Sequence, residues 1–452
     1  MSLPRPTTQP PQPWAFPSHE RHQLDNGMTV LIYPVPGQYV TATRLVIPAP
    51  LRSEPVDREG VATLVSRTMD EGTERRSGDE MAEALERNGI GLGASAMEAG
   101  LMLDIDATGP QLEAGLDLLT ECLTMPTFAE GEVGRHRRQR LVEIEHTLAR
   151  PGSRAALEWA RTHYAPQDRA SRASGGRSES VAAITRDDCA NFHRAQVNPS
   201  RATVVIAGDV EASEVLGSVQ RTLATWAPPS PGEMPVDDAS PYALAPERGR
   251  IVFVDRPGSV QTEMYLGTAG PSRRDPQGGA VSRALSYLIG GSPNARIDAL
   301  LREDKGYTYG MRSTFRPRAF GGEVLVSGSV RGDVTAEALD LVHGVLESVA
   351  AEGFSADETQ SAIDYIGKTA PARFATADVI ADEAAMLAAD GLGTDFVTTY
   401  LADLAEVTPD QLQQAWSPIA AQPWSVVLVG DAEAYAGAVT ALGRGEVTVV
   451  SG

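Results

Sequence analysis

The feature that most limits what this chain can fold into is an internal repeat. The segment Thr203 to Ala212, TVVIAGDVEA, returns as SVVLVGDAEA at Ser425 to Ala434, and Gly430 lies 222 positions after Gly208. A second pair, Val30 to Gly37 (VLIYPVPG) and Val252 to Gly258 (VFVDRPG), is offset by 221 positions between its glycines. Two separate matches at nearly one spacing divide the chain into similar halves of about 220 residues, each the size of one or two domains. The stretch from Pro228 to Pro246, rich in Pro, Ser and acid, is the natural junction. The expected division is a Pro-rich, disordered N-terminal arm at 1–20, a first domain at 21–227, a linker at 228–247 and a second domain at 248–452.

Within each half the pattern runs from strands to helices and back. Thr29 to Tyr33 and Thr41 to Pro48 are β-branched and apolar, which predicts strands. Val61, Leu64, Val65 and Met69 recur at helical spacing. Ser77-Gly-Asp-Glu80 is a capping box opening a helix that stops at Gly89. Leu101 to Ala107 alternates as a strand, Leu112 to Leu123 and Glu132 to Leu148 are helical, and Thr185 to Asp188 starts another helix. In the second half, Thr408-Pro-Asp-Gln411 combines an N-cap, a proline at N1 and a reaching side chain at N3. The expected class is α+β: two pseudo-repeated halves, each an antiparallel-rich mixed sheet with helices on one face.

Composition narrows the function. Sixty acidic against 39 basic residues give a formal charge of −21, which repels phosphate backbones and anionic lipid. Nucleic acid and membrane are therefore not expected partners. No apolar run is long enough to span a bilayer, and the opening residues lack the apolar core of a secretory signal, so the cytoplasm is the expected compartment. Cys122 and Cys189 form no zinc-type spacing, and the 7 histidines include no H-x-x-E-H, H-E-x-x-H or H-x-H. Glu143-x-x-His146 has the spacing of a helix-borne ligand pair but lacks a second such pair, and His19 and His22 adjoin the arm, where nothing would preorganise them. Gly89-Ile-Gly-Leu-Gly-Ala94 looks like a dinucleotide fingerprint, yet it follows a helix, the wrong context for a nucleotide loop.

From about Arg21 onward the chain resembles the pitrilysin/insulinase family of zinc peptidases. The resemblance is carried by Leu24 to Val30 (LDNGMTV), Gly60 to Thr73 (GVATLVSRTMDEGT), Met81 to Gly89, the strand Val204 to Asp209 and the Gly-x-x-Tyr turn at Gly306. In that family an inverted motif, H-x-x-E-H, puts two zinc-binding histidines on one helix face with a general-base Glu between them, and a Glu on a later helix completes the site. The corresponding residues here are Thr63, Ser66 and Arg67, with Glu143 or Glu145 at the place of the last ligand. Two neutral hydroxyls and a permanent cation cannot grip a divalent metal, so no metal is expected in this chain.

The resemblance also implies that an Arg and a Tyr from the second half reach toward the zinc. Arg302 and Tyr309 match, separated by a turn at Gly306, with Tyr307 as the fallback. In such a site the Tyr hydroxyl would stabilise the oxyanion and the Arg would hold the substrate backbone. A strand with Tyr307, Tyr309, Met311, Ser313 and Phe315 on one face is expected after the turn. The Gly-rich run Ile289 to Arg296 reads as a tight turn. Retention of one half-site and loss of the other imply a zinc-less subunit of a heterodimeric metalloendopeptidase. Its partner would be an H-x-x-E-H sister subunit holding the zinc, and its substrates unfolded peptides, with Arg302 and Tyr309 lent in trans. A homodimer stays open, as does a purely structural or peptide-binding scaffold of the same fold.

Overall fold

The computed structural model describes residues 9–227, 240–275, 279–318 and 321–452. Most of the expected linker, 228–239, lies outside them. The first sheet contains β1 (Glu20–Gln23), β2 (Thr29–Pro34), β3 (Val40–Ile47), β4 (Gly91–Met97), β5 (Gly100–Thr108) and β6 (Thr203–Gly208), in the order β1-β2-β6-β3-β5-β4. The second contains β7 (Ile251–Asp255), β8 (Gln261–Gly270), β9 (Met311–Arg318), β10 (Gly321–Arg331), β11 (Ser425–Gly430) and β12 (Val447–Ser451), in the order β12-β7-β11-β8-β10-β9. The two orders coincide position by position, except that the outer place beside β2 is filled from the start of the chain and that beside β7 from its end. β1 consequently runs antiparallel to β2, whereas β12 runs parallel to β7.

The repeated sequence segments are the parallel pair at the middle of each sheet, β2 with β6 and β7 with β11. Their shared Gly-Asp has a local cause. A Cβ on Gly208 would fall 2.8 Å from Thr41, and one on Gly430 would fall 2.7 Å from Thr262, so side chains are excluded where the neighbouring strand crosses. The Asp that follows accepts from a turn amide: Gly37 N lies 3.1 Å from Asp209 Oδ2, and Gly258 N lies 2.9 Å from Asp431 Oδ2. Those two turn glycines have φ of 83° and 74°, a region in which a side chain is strained.

In the first half the sheet carries α1 (Val61–Thr68), α2 (Gly78–Asn88) and α3 (Leu112–Thr124) on one face. α4 (Glu130–Ala149) and α5 (Pro151–His163) follow. The capping boxes at Ser77/Glu80, Thr185/Asp188 and Thr408/Gln411 are present, and Gly89 ends α2 with φ 61°.

Helices cover both faces of each sheet rather than one, and the second cover comes from the other half. The outer residues Leu31, Tyr33, Val46, Val205 and Ala207 pack on helix Ala377–Ala389 of the second half. Its buried positions, Ala377, Ile380, Ala381, Ala384 and Ala385, form a narrow small-residue face that lets it lie close to the strands. Reciprocally, Ala155 and Trp159 of α5 pack on Val252, Val254, Leu325, Val427 and Val429 of the second sheet. The central strands are thus buried on both sides, which is why TVVIAG and SVVLVG read as unbroken apolar runs. Arg44 ties the halves further, its Nε 2.6 Å from Asp382 and its Nη1 2.9 Å from Asp106.

The arm expected to be disordered is packed over its described part. Phe16 is 6 % exposed, its amide donates to Thr398 Oγ1 at 3.0 Å, and Trp14 stacks on Phe374 with centroids 5.6 Å apart. The prolines do exclude helix and ladder, but two aromatic anchors hold the segment against the second half. His22 accordingly lies in strand β1, and His19 Nδ1 is 3.2 Å from Thr394 Oγ1. Of the dismissed glycine-rich segment, Gly89 ends α2 and Gly91 to Ala94 open edge strand β4, which pairs with β5. Among the described residues no helix is long and apolar enough to cross a membrane.

Trp159 is 2 % exposed and fills the space over Gly267, where an added Cβ would fall 2.6 Å from its ring. Trp159→Ala is expected to lower the unfolding free energy by about 3–5 kcal/mol. Urea denaturation followed by circular dichroism should show one transition moved to lower denaturant, because the ring belongs to one half and its socket to the other.

Candidate functional site

The helix bearing the altered motif is fixed at its start by a buried carboxylate. Glu54 Oε1 accepts from the amides of Gly60 and Ala62, each at 3.0 Å, and thereby caps α1. Arg169 holds the other oxygen through Nη2 at 2.9 Å and Nε at 3.2 Å. Burial pushes the Glu54 carboxyl above its ordinary range, against the pull of Arg169. Val61, Ala62, Leu64 and Val65 then enter the core, leaving Thr63 and Arg67, one turn apart, half-buried.

Arg67 meets Glu143 of α4 with both prongs of its guanidinium, Nη1 to Oε1 at 2.8 Å and Nη2 to Oε2 at 2.9 Å. Arg140 adds a third contact to the same carboxylate at 3.1 Å. The Arg67 hydrogen bonds first, then that of Arg140, hold the Glu143 pKa below its ordinary value despite partial burial. Ser66 turns back on its own helix, its Oγ donating to the Thr63 carbonyl at 3.0 Å. Of the two candidates for the last ligand position, Glu143 faces α1, whereas Glu145 is exposed, as is His146.

These residues therefore do not fit a zinc ion. The Glu143 carboxylate is spent on a bidentate pair, Ser66 offers only a hydroxyl, and the Arg67 cation would repel a metal ion. The same guanidinium that cannot bind zinc joins the two helices a zinc ion would join. A second group, not foreseen from the sequence, brings Glu71, Glu132 and His136 within 4.8 Å of one another. It too is occupied by a cation: Arg135 Nε lies 2.7 Å from Glu132, and Arg135 also pairs with Glu71. The signal for it was the i, i+4 spacing of Glu132 and His136 on α4.

The second-half residues stand elsewhere, and no described contact joins them to α1 or α4. Arg302 lies in a π-helical turn, Ala299–Asp304, whose Leu301 is buried. Gly306 makes the left-handed step with φ 64°. The strand starts only at Met311, so Tyr307 and Tyr309 do not share its face as expected; Met311, Ser313 and Phe315 do, and are buried. The turn is clamped by Thr308, whose hydroxyl donates to Ser329 O at 2.7 Å and accepts from Gly310 N at 3.0 Å. Buried Asp298 secures its far end by accepting from Met311 N at 2.7 Å. Tyr307 is engaged with Glu337, which raises its pKa. Tyr309 is 95 % exposed, and Arg302 pairs with its neighbour Glu303 at 3.4 Å. At that exposure Tyr309 is not packed against the described residues.

Comparison with known proteins places these residues in context. Residues 30–171 match the family profile described as Insulinase (Peptidase family M16), and residues 183–365 match the profile described as Peptidase M16 inactive domain. An uncharacterized zinc protease of Rickettsia bellii is 22% identical over 342 residues, covering 75% of this chain and 81% of that protein. A non-peptidase homolog of Helicobacter pylori, YmxG, is 21% identical over 318 residues, covering 70% and 71%. Among solved structures, a peptidase M16 inactive domain from Pseudomonas fluorescens superposes with a TM-score of 0.84 at 21% identity, covering 92% of this chain and 98% of that one. A protease from Helicobacter pylori has the same TM-score at 17% identity, covering 92% and 100%. Relatives thus carry both peptidase and non-peptidase names.

The Arg67–Glu143 pair is about one-third exposed, and is expected to contribute about 1 kcal/mol at neutral pH. Because the folded-state pKa of Glu143 is depressed, that contribution is complete above the ordinary carboxylate pKa and is lost as pH falls through the depressed value. Arg67→Met should therefore be less stable than the parent chain at pH 7. The difference should shrink toward zero on acidification, as read by urea unfolding at a series of pH values.

Proposed function

This chain belongs to the insulinase family of peptidases, family M16, and we propose that within it the chain is the noncatalytic subunit of a heterodimeric zinc metalloendopeptidase. Its partner is a sister subunit that carries H-x-x-E-H and the zinc ion. The observation that carries this proposal is the bidentate Arg67–Glu143 pair at the motif positions. It leaves the fold of the peptidase half intact while removing the donor set on which hydrolysis depends. Sequence relatives that bear zinc-protease names and one that bears a non-peptidase name are consistent with a family in which such loss occurs.

The second element of the proposal is that Arg302 and Tyr309 act on substrate held at the sister's zinc. Support comes from the build of the turn. It is clamped on both sides, yet presents an aromatic ring and a phenol hydroxyl with no described partner in this chain. A rigid, solvent-facing Tyr is suited to meet a surface or substrate outside its own chain. In the assembled complex the phenol O–H would donate to the oxyanion that forms when water adds to the scissile carbonyl. The Arg302 guanidinium would bond the adjacent peptide carbonyl. The substrates are peptides in extended conformation.

In the complex with its sister, Tyr309→Phe should lower kcat on the order of 10²-fold with little change in KM, because the lost hydrogen bond strengthens only as the oxyanion develops. Arg302→Ala should raise KM as well. Steady-state hydrolysis of a quenched fluorescent peptide measures both, and unchanged constants for both variants would leave this chain a scaffold.

A further inference from the structure

On a chain with a formal charge of −21, one cavity is lined by guanidinium groups. It has a volume of about 360 Å³ and lies in the second half, between helices Ala280–Ser286 and Ala356–Arg373, with Phe315 and Pro317 of β9 in its wall. Arg273, Arg283 and Arg373 line it together with a single carboxylate, Glu383. Arg273 is matched by Asp390 at 2.8 Å. The other two have no carboxylate at ion-pair distance among the described residues. Arg283 donates weakly to the Gly279 carbonyl at 3.4 Å and lies 3.9 Å from the centre of the Tyr400 ring. Arg373, an exposed residue, stands 5.3 Å from the ring of Phe374. Burial above all, with Arg373 and Arg273 adding to it, lowers the Arg283 pKa, although Tyr400 and Glu383 pull the other way. A half-buried cation without an acid partner is costly, and an anion entering beside it lowers that cost.

The walls define the rest of the ligand. Tyr287 and Tyr365 stack at 4.8 Å with an interplanar angle of 27°, and both line the cavity, Tyr365 being 55 % exposed. Two unpaired guanidinium groups against one Glu383 leave room for one negative charge, which suits a carboxylate and is overfilled by a phosphate dianion.

We propose that this cavity binds the C-terminal residue of a peptide, its α-carboxylate bridged by Arg283 and Arg373 and its side chain lying on the Tyr287–Tyr365 pair. The carboxylate chemistry stands on the cavity alone; that the ligand is a peptide rests on the function proposed above. Binding to the full chain, without any sister subunit, tests it by titration calorimetry. The probes are acetyl-Ala-Ala-Gly-Phe with a free carboxylate, the same peptide as its C-terminal amide, and inorganic phosphate. The free acid should bind, with the amide weaker by about tenfold or more. Arg373→Gln should weaken the acid by a similar factor without changing the circular dichroism, whereas Glu383→Gln should tighten it. No binding, equal binding of acid and amide, phosphate binding as well as the acid, or no tightening in Glu383→Gln would each overturn the assignment. None of these outcomes touches the kinetics of Tyr309→Phe in the complex, so the two ideas fail separately.

Discussion

Each sheet of this protein is closed by a helix from the opposite half, and the rest of the structure depends on that exchange. Without α5 the outer face of the second sheet would expose Val252, Val254, Val427 and Val429; without helix Ala377–Ala389 the first would expose Leu31, Tyr33, Val46 and Val205. Apolar faces of that extent are not stable in water. The two halves therefore fold as one body despite their separate inner cores.

Within that frame, one substitution alters chemistry while keeping architecture. A metal ion bound between α1 and α4 would tie two helices by its charge, and Arg67 does the same through two parallel hydrogen bonds to Glu143. The helix ends hold independently of the site: Glu54 and Arg169 cap α1, and Arg256 donates to the Ala149 carbonyl at the end of α4 at 2.7 Å. The peptidase-like half thus holds its fold with Thr63, Ser66 and Arg67 on α1 in place of any zinc-binding set.

Much of this was legible in the sequence because it rests on local rules. The repeat marked the central parallel strands, and the capping boxes at Ser77, Thr185 and Thr408 marked helix starts that the structure has. Tertiary partnerships were not legible. Nothing in α5 distinguishes packing on its own sheet from packing on the other, since both outer faces are apolar. The arm read as disordered because composition was dominated by proline, whereas two rings, Trp14 and Phe16, settle its place. At the site, the failure of the zinc motif followed from residue chemistry alone. That Arg67 would pair with Glu143 rather than face solvent required the distance between two helices, and the exposure of Tyr309 required knowing that the strand begins two residues later.

The central claim is that the peptidase half of this chain has exchanged a metal for a guanidinium. It is tested most directly on the isolated, full-length wild-type protein, by measuring bound zinc after equilibration with excess metal and gel filtration, alongside hydrolysis of a quenched peptide with and without chelator. The account predicts no stoichiometric zinc and no chelator-sensitive cleavage. One equivalent of retained zinc, with hydrolysis abolished by the chelator, would contradict it.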